Sequence, residues 1–190
     1  MANYMLDTEF DEDGKTIELI SIALVRESDK KSFYRVSSEF RPDHCNDWVK
    51  KNVLPHLPPA GEWVSRAQIK DELTAFIGDD DSIAVWAYYG DYDWIVFCQL
   101  FGKMVDLPEK YPKLCLDLKQ WALMLGVPKA EYPPDPENQH DALADARWNL
   151  QLFDFLSNYG KKKTESFAER LETVLNGRKS GDSATESQAK

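Results

Sequence analysis

The sequence predicts an α/β domain built on a mixed sheet, and two observations carry the prediction. The chain opens with three β-rich runs joined by short turns. Beyond residue 60, helical periodicity alternates with short apolar runs of strand length. The total of 190 residues suits one domain of ordinary size plus a tail.

The elements are expected in the following order. Asn3 to Leu6 is a short apolar strand running into Asp7, and Asp11-Glu12-Asp13-Gly14 is a turn. Thr16 to Val25, rich in β-branched residues and Leu, is a second strand. Asp29-Lys30-Lys31 turns the chain into a third, Ser32 to Phe40. A short helix is expected within Pro42 to Val53, followed by the breaker Leu57-Pro58-Pro59-Ala60-Gly61. Ser65 is a plausible N-cap for a helix carrying Ile69, Leu73 and Ile77 and stopped by Gly78. Ile83 to Ala87 is a strand, and Tyr92 to Met104 a helix. Lys113 to Leu118 is a fifth strand or the entry to a helix, and Asp117 to Leu125 is helical, closed by Gly126. A Pro-rich loop, Glu131 to Gln139, precedes an amphipathic helix from Asp141 to Tyr159 with Ala142, Ala146, Leu150 and Phe153 on one face. From Gly160 the composition turns polar. Phe167 to Leu175 could add a helix, and Gly177 to Lys190 is expected to be disordered.

Composition narrows the class. Hydrophobic residues make up 43% and aromatics 12%, enough to build a core and contrary to disorder. The longest apolar run, Leu19 to Val25, is strand-length and cannot span a membrane. No basic-then-apolar secretory signal opens the chain. Cys45, Cys98 and Cys115 show no paired spacing, which suits reduced thiols and a cytoplasmic location better than disulfides or a zinc site. A net charge of −10 argues against a non-specific duplex binder, which would show a basic footprint, and against a long DNA-tracking groove.

Three acidic islands hold the candidate chemistry. The first is Leu6-Asp7-Thr8-Glu9-Phe10, where strand alternation points Asp7 and Glu9 to one side. Two like charges there are costly without a cation. Alone, the pair is equally readable as a solvated strand end. A calcium-loop reading of Glu9, Asp11, Asp13 and Gly14 fails because the position that needs an acidic residue holds Ile20. The second island is Tyr89-Gly90-Asp91-Tyr92-Asp93-Trp94. Asp93 lies just inside a helix start before an apolar stretch, and Asp91 is the competing candidate, better suited to capping or solvent. The third is His140-Asp141-Ala142-Leu143-Ala144-Asp145. Asp145 sits among small and apolar residues, where a charge is rarely without a partner. Asp141 is the more exposed-looking alternative.

Carboxylates gathered in this way favour hard divalent cations. Two such ions, about 3.5–4 Å apart, can hold the attacking and the leaving oxygen of a phosphodiester displacement. A neighbouring His supplies a base near neutral pH. No Gly-x-Ser-x-Gly elbow, Lys-bearing Gly-rich phosphate loop or His-Glu-x-x-His pattern competes.

In this order and on these elements, Asp7, Glu9, Asp93, His140 and Asp145 resemble the DEDD superfamily of 3′-to-5′ exonucleases, in the DEDDh branch, whose His stands five residues before the last Asp. The stretches Asp7-Thr8-Glu9-Phe10, Trp86-Ala87-Tyr88-Tyr89-Gly90 and His140 to Arg147 look more narrowly like small bacterial and phage 3′-5′ exoribonucleases related to polyadenylate-specific types. The resemblance covers roughly Tyr4 to Tyr159, so an exonuclease domain is expected at 1–159 and a tail at 160–190.

The resemblance implies a ribonuclease H-like fold, a five-stranded mixed sheet with helices on both faces. It implies two Mg²⁺ or Mn²⁺ ions held by Asp7, Glu9, Asp93 and Asp145, with His140 as general base. Thr8, by its backbone, and Phe10, by its side chain, would embrace the terminal nucleotide. The substrate would be RNA 3′ ends, the product a nucleoside 5′-monophosphate, and a homodimer is possible by analogy. Two alternatives share the residues: a DNA proofreading or repair exonuclease, and a nucleotide- or RNA-binding module without turnover.

Overall fold

The computed structural model describes the backbone of residues 1–182 and the side chains of residues 1–164. Five strands form one sheet in the order β3-β2-β1-β4-β5. They are β1 (Ala2–Glu12), β2 (Ile17–Arg26), β3 (Ser32–Val36), β4 (Ile83–Ala87) and β5 (Leu116–Asp117). The first three are antiparallel neighbours, and β4 and β5 add parallel to β1. The helices are α1 (Asp47–Asn52), α2 (Arg66–Ile77), α3 (Asp91–Phe101), α4 (Leu118–Leu125) and α5 (Ala142–Asp182). The chain divides into two compact units, Met1–Phe153 and Asp154–Lys190.

Strand alternation sorts the two faces of the sheet. Tyr4 and Leu6 of β1 share a buried cluster with Ile69, Leu73 and Ile77 of α2 and Val96 and Phe97 of α3. Trp86 of β4 points the other way and meets Trp121 of α4 and Phe153 of α5, each with ring centroids 5.1 Å apart. A third cluster joins Ile20 and Val36 to Val49 of α1. Helices therefore cover both faces, as expected of the mixed α/β sheet.

The caps follow the sequence. Ser65 accepts the N–H of Gln68 at the start of α2. Asp117 caps α4 by accepting the N–H of Gln120, and Gly126 closes that helix in the left-handed region at φ 70°. Asn46 caps α1.

Three expectations change, and one open alternative is resolved. The first strand continues to Glu12, because β2 pairs with it as far as Glu12↔Ile17. Asp7 and Glu9 are thus inside β1 and not at its end. What ends near them is the other edge, since the pairing with β4 stops at Met5↔Trp86. The third strand stops at Val36; beyond it Ser37 forms an isolated bridge with Val64, and the Ser38 N–H donates to the Val64 carbonyl at 2.8 Å. The region 113–118 supplies both readings, a two-residue strand leading straight into α4. Finally, α5 does not end at Tyr159. It runs through Gly160 and Lys161-Lys162-Lys163 to Asp182. One interior Gly costs a helix only about 1 kcal/mol, and Lys is a good helix former. The 183–190 part of the expected disordered tail lies outside the described residues.

Candidate active site

The early end of the β1–β4 pairing creates the site. Beyond Met5, one edge of β1 has lost its neighbour, and its backbone groups need partners. Two side chains supply them. Nδ2 of the buried Asn149 on α5 donates to the carbonyl of Leu6 at 2.9 Å. Oδ1 of Asp93 accepts both the backbone N–H and the hydroxyl of Thr8, each at 2.7 Å. The gap in the sheet is thereby filled by functional groups from the helices on its two faces.

Alternation then distributes the acids. Thr8 points to the α3 side, where Asp93 waits in the first turn of that helix. Asp7 and Glu9 point to the α5 side. There Asp145 stands four residues after Asp141, which caps α5 by accepting the N–H groups of Leu143 and Ala144. Asp141 is half-buried and serves as the cap.

His140 occupies the left-handed region at φ 67° and is the turn residue before the cap. His adopts this conformation more readily than most non-Gly residues. The turn aims the His140 N–H at Oδ2 of Asp145, 2.9 Å away. It also places the imidazole against Trp48 of α1, edge to face, with centroids 4.7 Å apart. Potential ligand atoms of Glu9, His140 and Asp145 all lie within 4.8 Å of one another. Asp7 and Asp93 join these three in lining one cleft of about 400 Å³ with Thr8, Phe10 and Trp48. The structure therefore brings Asp7, Thr8, Glu9, Phe10, Asp93, His140 and Asp145 together along one cleft. Asp91 is exposed and lines no part of this cleft, whereas Asp93 is 6% exposed.

The carboxyls of the cluster are hard to ionise together. Burial raises the Asp7 carboxyl well above its ordinary range, and the charges of Asp93, Glu9, Asp145 and Asp141 raise it further. Glu9 is pushed up to about 8 by burial and by Asp145, Asp93 and Asp141. Asp93 is raised to about 6 by burial, against the opposing hydrogen bonds from Thr8. Asp145 is raised by burial, with His140 opposing. Buried carboxyls such as Asp7 and Glu9, whose ionisation neighbouring carboxylates hinder, are stabilised in their charged form by a bound cation. The donors are carboxylate oxygens with one imidazole, a set that fits hard divalent ions.

Comparison with known proteins places the chain. The model of the 3′-5′ exoribonuclease Rv2179c-like domain matches residues 2–157. The chain belongs to this family. The 3′-5′ exoribonuclease Rv2179c of Mycobacterium tuberculosis strain H37Rv is 45% identical over 159 residues, which covers 82% of this chain and 93% of that protein. The exoribonuclease MT2234.1 of strain CDC 1551 matches to the same extent.

Solved structures of low identity share the fold of this Rv2179c-like domain. The nuclease domain of 3′hExo, described as a DEDDh family member bound to rAMP, superposes with a TM-score of 0.53 at 12% identity. That match covers 84% of this chain and 92% of the nuclease domain. Exonuclease I of Methylocaldum szegediense gives a TM-score of 0.58 at 14% identity over 80% of this chain. The Rv2179c-like chain spans only 40% of that exonuclease's length.

Three participants escaped sequence reading. Asn149 lies four residues after Asp145 on the same helix face, and that i, i+4 spacing of two polar residues among apolar ones was the available signal. Trp48 carried no signal, because its contact with His140 joins residues far apart in sequence. Tyr92 stacks on Phe10, with centroids 5.5 Å apart and planes 10° from parallel, and only the fold brings those rings together.

Proposed function

We propose that this member of the 3′-5′ exoribonuclease family shortens RNA from its 3′ end in a reaction that depends on two divalent ions, Mg²⁺ or Mn²⁺, held by Asp7, Glu9, Asp93 and Asp145. The supporting observation is the convergence of these acids with His140 at the point where β1 loses β4.

Divalent ions at this place would supply charge stabilisation to the attacking and departing oxygens of the phosphodiester. The protein's own groups do the rest. Asp7, which lines the cleft with the other acids, would help to hold the ions. Glu9 and Asp145 lie with His140 on one side, and Asp93, tethered by Thr8, lies on the α3 side. His140 accepts the proton of the attacking water as general base. Its position is set by its backbone bond to Asp145 and by Trp48. Thr8 and Phe10 line the cleft and embrace the terminal nucleotide. The product is a nucleoside 5′-monophosphate, released stepwise.

The same reading assigns the exonuclease domain to residues 1–159 and a tail to 160–190. It includes a cytoplasmic location, supported by three free cysteines. Among the described residues, no helix is long and apolar enough to cross a membrane. A homodimer belongs to the reading by family analogy alone.

Product analysis tests it. Digestion of RNA should release nucleoside 5′-monophosphates in Mg²⁺ or Mn²⁺ and none in EDTA. Asp145→Asn should abolish release while leaving the fold intact. Full activity of that variant, or products bearing a 3′-phosphate, would contradict the assignment.

A further inference from the structure

Two clefts meet at the acidic cluster, and the function proposed above occupies only one. Asp7, His140 and Asp145 line both. The first cleft continues to Phe10 and Trp48 and receives the terminal nucleotide. The second, of about 230 Å³, continues instead to Tyr88, Trp148 and Lys129. A strand cut at its last phosphodiester must leave the site with its next phosphates, and the second cleft is open to them.

The charges of the two linings differ in one respect. The first cleft has no Lys or Arg among its described residues, and the second has one, Lys129. In a chain of net charge −10, a cation at the rim of an acidic cluster is the available partner for a phosphate. Its present partner is weakly held. Lys129 Nζ stands 3.8 Å from Asp135, with the two side chains 62% and 47% exposed. Such a pair is screened and gives way readily to a stronger anion.

The backbone beneath Lys129 is fixed. Pro128 precedes it, and Lys129 opens a single 3₁₀ turn that ends with the Tyr132 N–H donating to its carbonyl at 3.1 Å. Tyr132 is buried, and the indole N–H of Trp148 donates to the carbonyl of Pro133 at 3.3 Å. The loop that carries the charge is therefore anchored to the α5 segment that carries Asp145.

We propose that Lys129 binds a backbone phosphate of the RNA strand on the 5′ side of the scissile bond, with Asp135 as the counter-ion that this phosphate displaces. The inference rests on the proposed function. It makes Lys129 a strand-binding residue that a minimal substrate does not reach.

Two substrates and a binding measurement test it. A dinucleoside monophosphate carries only the scissile phosphate, and a longer mixed-sequence strand carries those beyond it. Lys129→Gln should raise KM severalfold for the longer strand, leave its kcat unchanged and leave dinucleoside cleavage unchanged. Lys129→Arg should restore the parental KM, and Asp135→Asn should lower it. In the Asp7→Asn background, anisotropy of the labelled longer strand should show the log–log salt dependence of binding becoming shallower by about 0.7 with Lys129→Gln, the loss of one single-strand phosphate contact. An equal loss on both substrates, or an unchanged KM and salt slope on the longer strand, would overturn the inference. Absence of RNA cleavage by the parent would instead contradict the proposed function, and the salt slope would still decide the role of Lys129.

Discussion

Asp93 is tied to Thr8 by two hydrogen bonds of 2.7 Å, one from the backbone N–H and one from the hydroxyl. One oxygen of the carboxylate thus completes the unpaired edge of β1. The relationship couples a candidate metal ligand on α3 to the strand that carries Asp7 and Glu9. Thr8→Val removes one of the two bonds and leaves the shape. A hydrogen bond to a charged group is worth about 1.5–3 kcal/mol. Expressed wholly in the reaction, that is about a tenfold to hundredfold loss of rate. Thr8→Ser should retain most activity. Steady-state kinetics on RNA with both variants check the difference, and equal rates would show that the hydroxyl does not position Asp93.

Asp91 and Asp93, two residues apart, should separate cleanly. Asp91 is exposed, and Asp91→Asn should change stability by no more than about 0.5 kcal/mol and leave turnover unchanged. Asp93→Asn keeps the side-chain volume but loses the charge and should remove most activity. Side-by-side turnover and circular dichroism decide the matter, and the reverse ranking would move the ligand to Asp91.

His140→Ala should cost about 10²–10⁴ in kcat, the range of a lost general base. Trp48 packs edge-on against the ring, so Trp48→Ala should lower kcat less than His140→Ala does, and Trp48→Phe should recover part of the loss. Unchanged kcat in His140→Ala at saturating metal would remove the residue from the mechanism.

The metal-free protein should lose stability as pH rises. Glu9 in the folded chain is raised to about 8 from its ordinary 4.5. Between these values the folded state holds more protons than the unfolded state, so unfolding becomes easier with increasing pH. Asp7, Asp93 and Asp145 are raised too and act in the same direction. Divalent ions compete with those protons, so the stabilisation by Mg²⁺ or Mn²⁺ should grow over the same interval. Thermal melts in EDTA and in metal across this range test the linkage. A metal-free melting temperature that rises toward pH 8, or metal stabilisation that is largest at acid pH, would contradict it.

Asn149 holds the other unpaired group of β1. Asn149→Leu leaves the buried Leu6 carbonyl without its partner and should cost about 1–3 kcal/mol. Because Leu6 precedes Asp7, activity should fall as well. A denaturant midpoint equal to that of the parent would show that the bond contributes nothing net.

Much of this site was legible before the fold. Periodicity located β4 and α2 almost to the residue, because both have apolar patterns bounded by clear breakers. The acids were legible because each stands beside an apolar strand or helix start, where a charge needs a reason. The length of β1 was less so, since its second half is polar and is held by its pairing with β2. Local pattern does not report a partner strand. The continuation of α5 past Tyr159 was hidden for a related reason. A change to polar composition signals loss of a buried face, and a helix can survive that change. Trp48 became visible only when the fold set it beside His140, and the partner of Asn149 only when the fold set it beside Leu6.

The most direct test is a time course on matched 5′-labelled RNA and DNA strands with Mg²⁺, with Mn²⁺ and with EDTA, beside the Asp7→Asn variant. A metal-dependent ladder that shortens from the 3′ end of RNA, and is absent in EDTA and in the variant, is the expected result. A stronger ladder on DNA would make the protein a DNA exonuclease. Binding of RNA without cleavage in any metal would contradict catalysis itself and leave a binding module of the same fold.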